Sequence, residues 1–174
     1  MEPDVSKPRG TAAQLGVYIG GANRACSQPN LNAAWISHNQ AAPHVWGIMP
    51  IWVGPQMPNP SCQTTAVYNS YISLNTTTAY TQGWNEAAAA LAAAGSSGLG
   101  MDLTGMPIAV DIEGYVANSG CRAAAQAYVD GWDAYLQRPP AQKAGVYGSQ
   151  CATFLTDFTT IAHVPDFVWF AYLE

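Results

Sequence analysis

Five short apolar runs set the limits on what this chain can fold into, because none of them alternates apolar with polar residues. They are Leu15-Gly16-Val17-Tyr18-Ile19, Trp46 to Val53, Met106-Pro107-Ile108-Ala109-Val110, Ala144 to Tyr147, and Phe167 to Tyr172. A strand wetted on one side shows a two-residue alternation, whereas a strand covered on both faces has no place for polar positions. Between the runs the spacing predicts helices. Leu31, Ala34 and Trp35 start one that runs to Ala41, with Asn30 as its N-cap and Pro43 as its stop. The small residues from Ala79 to Ala94 form a second, capped by Gly95 and able to lie close to a sheet. A third runs from Cys121 to Gln137, with Ser119 as N-cap, Tyr128, Trp132 and Tyr135 on one stripe, and Pro139-Pro140 as the stop. Ala152 to Thr159 makes a short fourth. Strands alternating with helices predict an α/β fold with a parallel, helix-covered sheet.

In such folds ligands bind beyond the carboxyl ends of the strands. The third run ends there on Asp111 and Glu113. Residues i and i+2 of a strand share a face, with Cα atoms about 6.5 Å apart. Two carboxyl groups that close repel when both are ionised, so one pKa rises and a proton donor stands beside an anion. Cleavage of a glycosidic bond uses such a pair, and the spacing leaves retaining and inverting chemistry both open. The alternative is structural: Asp111 caps the next element and Glu113 is solvated.

At 174 residues the chain is one domain, residues 15–174, preceded by a loose polar arm over residues 1–14. Six basic residues against eleven acidic ones, with no basic cluster, argue against nucleic acid as a partner. No run of about 18 apolar residues predicts a membrane span. The many Asn, Gln, Ser, Thr and aromatic residues suit neutral polyhydroxylated ligands. Cys26, Cys62, Cys121 and Cys151 fall in connections, and their even number predicts disulfides and an oxidising compartment. Of three possible connectivities the preferred one pairs Cys26 with Cys62 and Cys121 with Cys151, each joining consecutive connections, and four unpaired thiols are the alternative. No signal-like segment opens the chain, so export would need a leader from elsewhere, and the closing Leu173-Glu174 resembles a tag junction. His38, His44 and His163 lack the spacing of a metal site, and neither a G-x-S-x-G elbow nor a G-x-G-x-x-G turn is present. No metal or cofactor is expected.

Several strand ends carry a resemblance. Tyr18-Ile19-Gly20-Gly21-Ala22-Asn23-Arg24, Pro50-Ile51-Trp52-Val53-Gly54, Val110-Asp111-Ile112-Glu113-Gly114-Tyr115 and Ala144-Gly145-Val146-Tyr147-Gly148-Ser149 resemble the glycoside-hydrolase-like domain of secreted actinobacterial proteins. That family is similar in layout to the family 25 lysozymes, whose barrels carry an Asp-x-Glu on a middle strand and a late strand like Trp169-Phe170-Ala171-Tyr172. The resemblance implies a parallel (β/α) barrel-like fold. Here it is incomplete: five to six strands are recognisable where a closed barrel needs eight, and the opening strand and the last strand or strands are missing. A second copy covering the open edges is then expected. The resemblance also implies a secreted protein acting on a cell-wall-type amino-sugar polysaccharide, with Glu113 as proton donor and Asp111 as its electrostatic partner. Tyr18, Asn23, Arg24, Trp52, Tyr115, Tyr147, Trp169 and Tyr172 would line the substrate site, where aromatic rings stack on sugar faces. The alternative function is a catalytically inactive carbohydrate-binding or cell-wall-associated module.

Overall fold

The computed structural model describes residues 14–43, 45–63, 67–149 and 154–171. All but the last residue of the expected N-terminal arm, along with His44, Cys151 and Tyr172, lies outside them. The order is β1 (Gln14–Gly20), α1 (Ala33–Gln40), β2 (Gly47–Trp52), α2 (Thr76–Ala94), β3 (Pro107–Ile112), α3 (Ser119–Leu136), β4 (Lys143–Ser149), α4 (Phe154–Asp157) and β5 (Phe167–Ala171). Every strand pairs in parallel with the one before it, in the order β1-β2-β3-β4-β5. Crossovers between parallel strands are right-handed, so a sheet that always advances in one direction receives its helices on one face. This is the winding of a barrel arc.

The sheet also curls. Laid flat, β1 and β5 would stand about 19 Å apart, four inter-strand spacings. Instead the Trp169 ring of β5 reaches β1, where a Cβ on Gly16 would lie 2.7 Å from it. Gly145 plays the same part on β4, since a Cβ there would meet the Phe167 ring at 2.0 Å. Glycine at these two positions lets β5 fold its aromatic rings over the inner face, where strands of a full barrel would otherwise close the space.

The core lies between the outer face and the helices. Ile108, Val110 and Ile112 of β3 point outward into it, beside Ile36, Ile48, Val146, Tyr128 and Trp132, all buried. The buried positions of α2 are Ala79, Gly83, Ala87, Ala90 and Ala94, so the large side chains come from α3. A Cβ on Gly83 would sit 1.9 Å from the Tyr128 carbonyl oxygen, and one on Gly131 would sit 2.0 Å from that of Tyr80. The two main chains therefore touch at reciprocal glycines. Among the described residues no helix is long and apolar enough to cross a membrane.

Helix starts differ from the sequence expectation by a few residues. Asn32, rather than Asn30, caps α1 by accepting from Trp35 N–H, and Leu31 N–H closes a turn onto the Gln28 carbonyl just before it. Asn75 and Asn118 cap α2 and α3 in the same way, each accepting from the N–H three residues on. The disulfide pairing needs correction. Cys62 bonds to Cys121, and Cys26 is unpaired and exposed among the described residues. The connections after β2 and β3 lie side by side on one rim of the sheet, and both cysteines are turned inward there, at 0% and 2% exposure.

One buried acid bears on stability. Asp133 on α3 is fully buried, and neither carboxylate oxygen has a hydrogen-bond partner among the described residues. Burial, then the charges of Asp166 and Asp130, hold its pKa well above the usual carboxylate range. The folded state therefore binds a proton that the unfolded chain releases near pH 4, and stability falls as pH rises above that point. Asp133→Asn is expected to unfold at higher denaturant concentration than wild type at pH 8, by on the order of 1–3 kcal/mol, with little difference at pH 4. Equal destabilisation at both pH values would show that the acid is ionised in the fold.

Candidate active site

Because Ile108, Val110 and Ile112 face the helices, the odd-numbered residues of β3 climb the inner face toward its carboxyl end. Asp111 and the next residue of that face, Glu113, line one cleft of about 310 Å³, walled by Tyr18, Asn23, Arg24, Gln28, Val53 and Tyr68, with Ala25 and Cys26 at its rim. Their exposure differs sharply. Asp111 is 2% exposed, whereas Glu113 stands open to solvent at the mouth.

That difference decides where a proton rests. Burial first, and the Glu113 charge second, raise the Asp111 pKa to about 7 against an opposing hydrogen bond from the Tyr18 hydroxyl. The other Asp111 oxygen, Oδ1, has no partner among the described residues. Tyr18 is itself pushed up by burial, then by Asp111, and bonds to Tyr147. Tyr68 shifts in the same direction, through burial and then the charges of Glu113 and Asp111. Both phenols thus stay protonated donors beside the acids.

The walls are held from behind. The Asn23 amide donates to the carbonyls of Gly54, at 2.8 Å, and Ser70, at 2.9 Å. Its oxygen accepts from the N–H groups of Asn69, at 2.7 Å, and Ser70, at 3.2 Å. It therefore staples the long connection after β2 to the loop after β1, and so holds Tyr68 over the acids. Gln56, fully buried, donates to the Asp111 carbonyl at 2.7 Å and accepts from Glu113 N–H at 2.9 Å. Arg24 is the basic side chain of the cleft wall. Arg122 instead pairs with Asp157 at 3.3 Å, and Arg138 covers the Tyr135 ring at 3.6 Å.

Of the residues singled out from sequence, Tyr18, Asn23, Arg24, Asp111 and Glu113 meet in the cleft. Tyr147 and Trp169 extend it as an aromatic row, with ring centroids 6.4 Å apart from Tyr18 to Tyr147 and 4.9 Å from Tyr147 to Trp169. Two others go elsewhere. The chain alternates at the end of β2, so Trp52 turns outward and donates its indole N–H to Glu86 on α2. Tyr115, beyond the turn at Gly114, donates to buried Asp157 at 2.7 Å. Tyr68, Gln28 and Gln56 were not anticipated. Tyr68 and Gln56 sit in a long Pro- and Ser-rich connection whose path the sequence does not fix, and for Gln28 no signal stood out.

Residues 10–169 match the model of the Rv2525c-like, glycoside hydrolase-like domain. The chain belongs to this family. No curated protein and no solved structure matches it significantly. In this glycoside hydrolase-like domain the four strand-end blocks between Tyr18 and Ser149 fall inside the matched range, and the five-stranded parallel arc agrees with an incomplete barrel-like fold.

Proposed function

We propose that this glycoside hydrolase-like domain hydrolyses a β-linked amino-sugar polymer of the cell-wall class through Asp111 and Glu113. The observation that carries the reading is a buried and an exposed carboxyl group in one cleft, the buried one keeping its proton up to about pH 7. The pair holds one proton between its members near neutrality. It rests on Asp111 in the free protein, and Glu113, at the mouth, delivers it to the glycosidic oxygen as the C–O bond breaks. A water molecule then captures the sugar cation, directly or after attack by a neighbouring N-acetyl oxygen, and its proton returns to the pair. Tyr18 and Tyr68 donate hydrogen bonds, and the Tyr147-Trp169 row stacks on sugar faces. The buried disulfide agrees with an extracellular location.

A second reading rests on Trp169, which is 37% exposed at the end of the aromatic row. An open row of rings suits a module that holds glycan without cutting it. Release of reducing ends from cell-wall and chitin-type polymers separates the two. The wild-type protein is expected to release them, and Glu113→Gln to slow release at least about 100-fold with glycan binding retained. Binding by both proteins with release by neither would leave the module as the function.

A further inference from the structure

We propose that Gln56 is the positioning residue of the acidic pair, its side-chain amide serving as the strand partner that β3 lacks where Asp111 and Glu113 emerge. The inference rests on the hydrolytic reading of that pair.

The β2–β3 ladder is short. It contains Ile51↔Ala109 and Trp52↔Val110, while β3 remains paired with β4 as far as Ile112↔Gly148. On its β2 side, then, the last part of β3 has lost its neighbour, although Asp111 and Ile112 are buried. Buried main-chain groups need partners. In a parallel ladder one residue donates to the carbonyl of j−1 and accepts from the N–H of j+1. Gln56 does this around Ile112: its Nε2 donates to the Asp111 carbonyl at 2.7 Å, and its Oε1 accepts from Glu113 N–H at 2.9 Å. A side chain 55 residues away in sequence from Asp111 has replaced a peptide group.

The main chain of Gln56 does the same on its other side. Its N–H donates to the Ser70 carbonyl at 3.1 Å, and its carbonyl accepts from Ile72 N–H at 2.8 Å, which makes the parallel bridge with Tyr71. Ser70 also accepts from the Asn23 amide. One residue thus joins the strand end that aims both acids to the connection that carries Tyr68. Besides a longer contact from its amide to the Gly54 carbonyl at 3.4 Å, its side-chain bonds fall on the main chain of Asp111 and of Glu113, so they set the direction in which each carboxyl group leaves the backbone. Misplacement of reacting groups by about 1 Å costs on the order of 100-fold in rate.

Gln56→Leu removes the bonds to Asp111 and Glu113, with the longer one to Gly54, at similar volume, and Gln56→Glu keeps the acceptor while holding a donor only when protonated. Initial rates on cell-wall polymer, the pH midpoint of the alkaline limb and the melting temperature are measured for each. Gln56→Leu is expected to lose about 100-fold in kcat with KM within threefold, and to shift the pH midpoint. Gln56→Glu is expected to recover rate relative to wild type as pH is lowered and its own carboxyl regains the donor. A purely structural role would lower the melting temperature and leave both pH responses unmoved. A folded Gln56→Leu with wild-type kcat and pH midpoint overturns the proposal, and should that variant not fold, a Gln56→Glu rate ratio independent of pH does so. If the wild type releases no sugar, the hydrolytic reading fails by itself. Carboxyl carbon NMR of Asp111 then decides the positioning role: a titration midpoint moved by the uncharged Gln56→Leu supports it, and an unmoved one overturns it.

Discussion

Removing the Cys62–Cys121 bridge, by the double change Cys62→Ala and Cys121→Ala, is expected to lower the free energy of unfolding by about 4 kcal/mol. The two cysteines are 59 residues apart. A cross-link closing a loop of that length removes chain entropy from the unfolded state, on the logarithmic dependence that gives the figure. For a domain of this size the loss corresponds to a fall of about 12 °C in melting temperature. Function should suffer too, because the bridge pins the connection after β2 to the first turn of α3. Cys62 further accepts from Val116 N–H at 2.7 Å, just beyond the acidic pair. Denaturant titration of the oxidised and substituted proteins checks the figure. Stabilities within about 1 kcal/mol of one another would mean that the unfolded chain is already compact around this loop.

The second large effect concerns pH. If the pair must carry one proton to protonate the leaving oxygen, hydrolysis declines as pH rises through about 7, where Asp111 loses that proton. Asp111→Asn is expected to lower kcat by about 10²–10⁴-fold and to abolish this decline, since no carboxyl group then titrates at that position. The direction follows from the cause: burial and the Glu113 charge disfavour the ionised form, so the acid is retained at higher pH than in an exposed aspartate. The pH dependence of kcat/KM, measured alongside carboxyl NMR of Asp111, provides the check. An alkaline limb near pH 4 to 5 would show that water reaches the carboxyl group freely.

The strands were legible because their runs admit almost no polar residue, and all five became strands. The expectation of cover on both faces holds best at β3, whereas β5 leaves Trp169 exposed on the inner face. Asp111 and Glu113 were legible for a related reason: two-residue periodicity alone puts them on one face. Helix starts were less so: the apolar spacing puts the cap of α1 at Asn30, whereas the side chain that accepts from the first turn is that of Asn32. Trp52 and Tyr115 show how a strand-end motif misleads, because one turns to α2 and the other to Asp157 once the chain alternates or bends. Disulfide connectivity depends on which rim loops are neighbours in space, and Cys62 had candidate partners on either side. Gln56 left no local trace at all. Its bonds reach main-chain atoms, which every residue offers, so only the folded chain reveals them.

The indole of Trp169 resting over Gly16 limits how this domain can be enlarged. Any polypeptide inserted to complete a ring between β1 and β5 would have to part that indole from Gly16, so a grafted barrel must give the ring a new neighbour as well as new strands. Conversely, a methyl group at position 16 would press on the indole directly. The tryptophan therefore acts as a keystone, and its fluorescence should report any spreading of the arc.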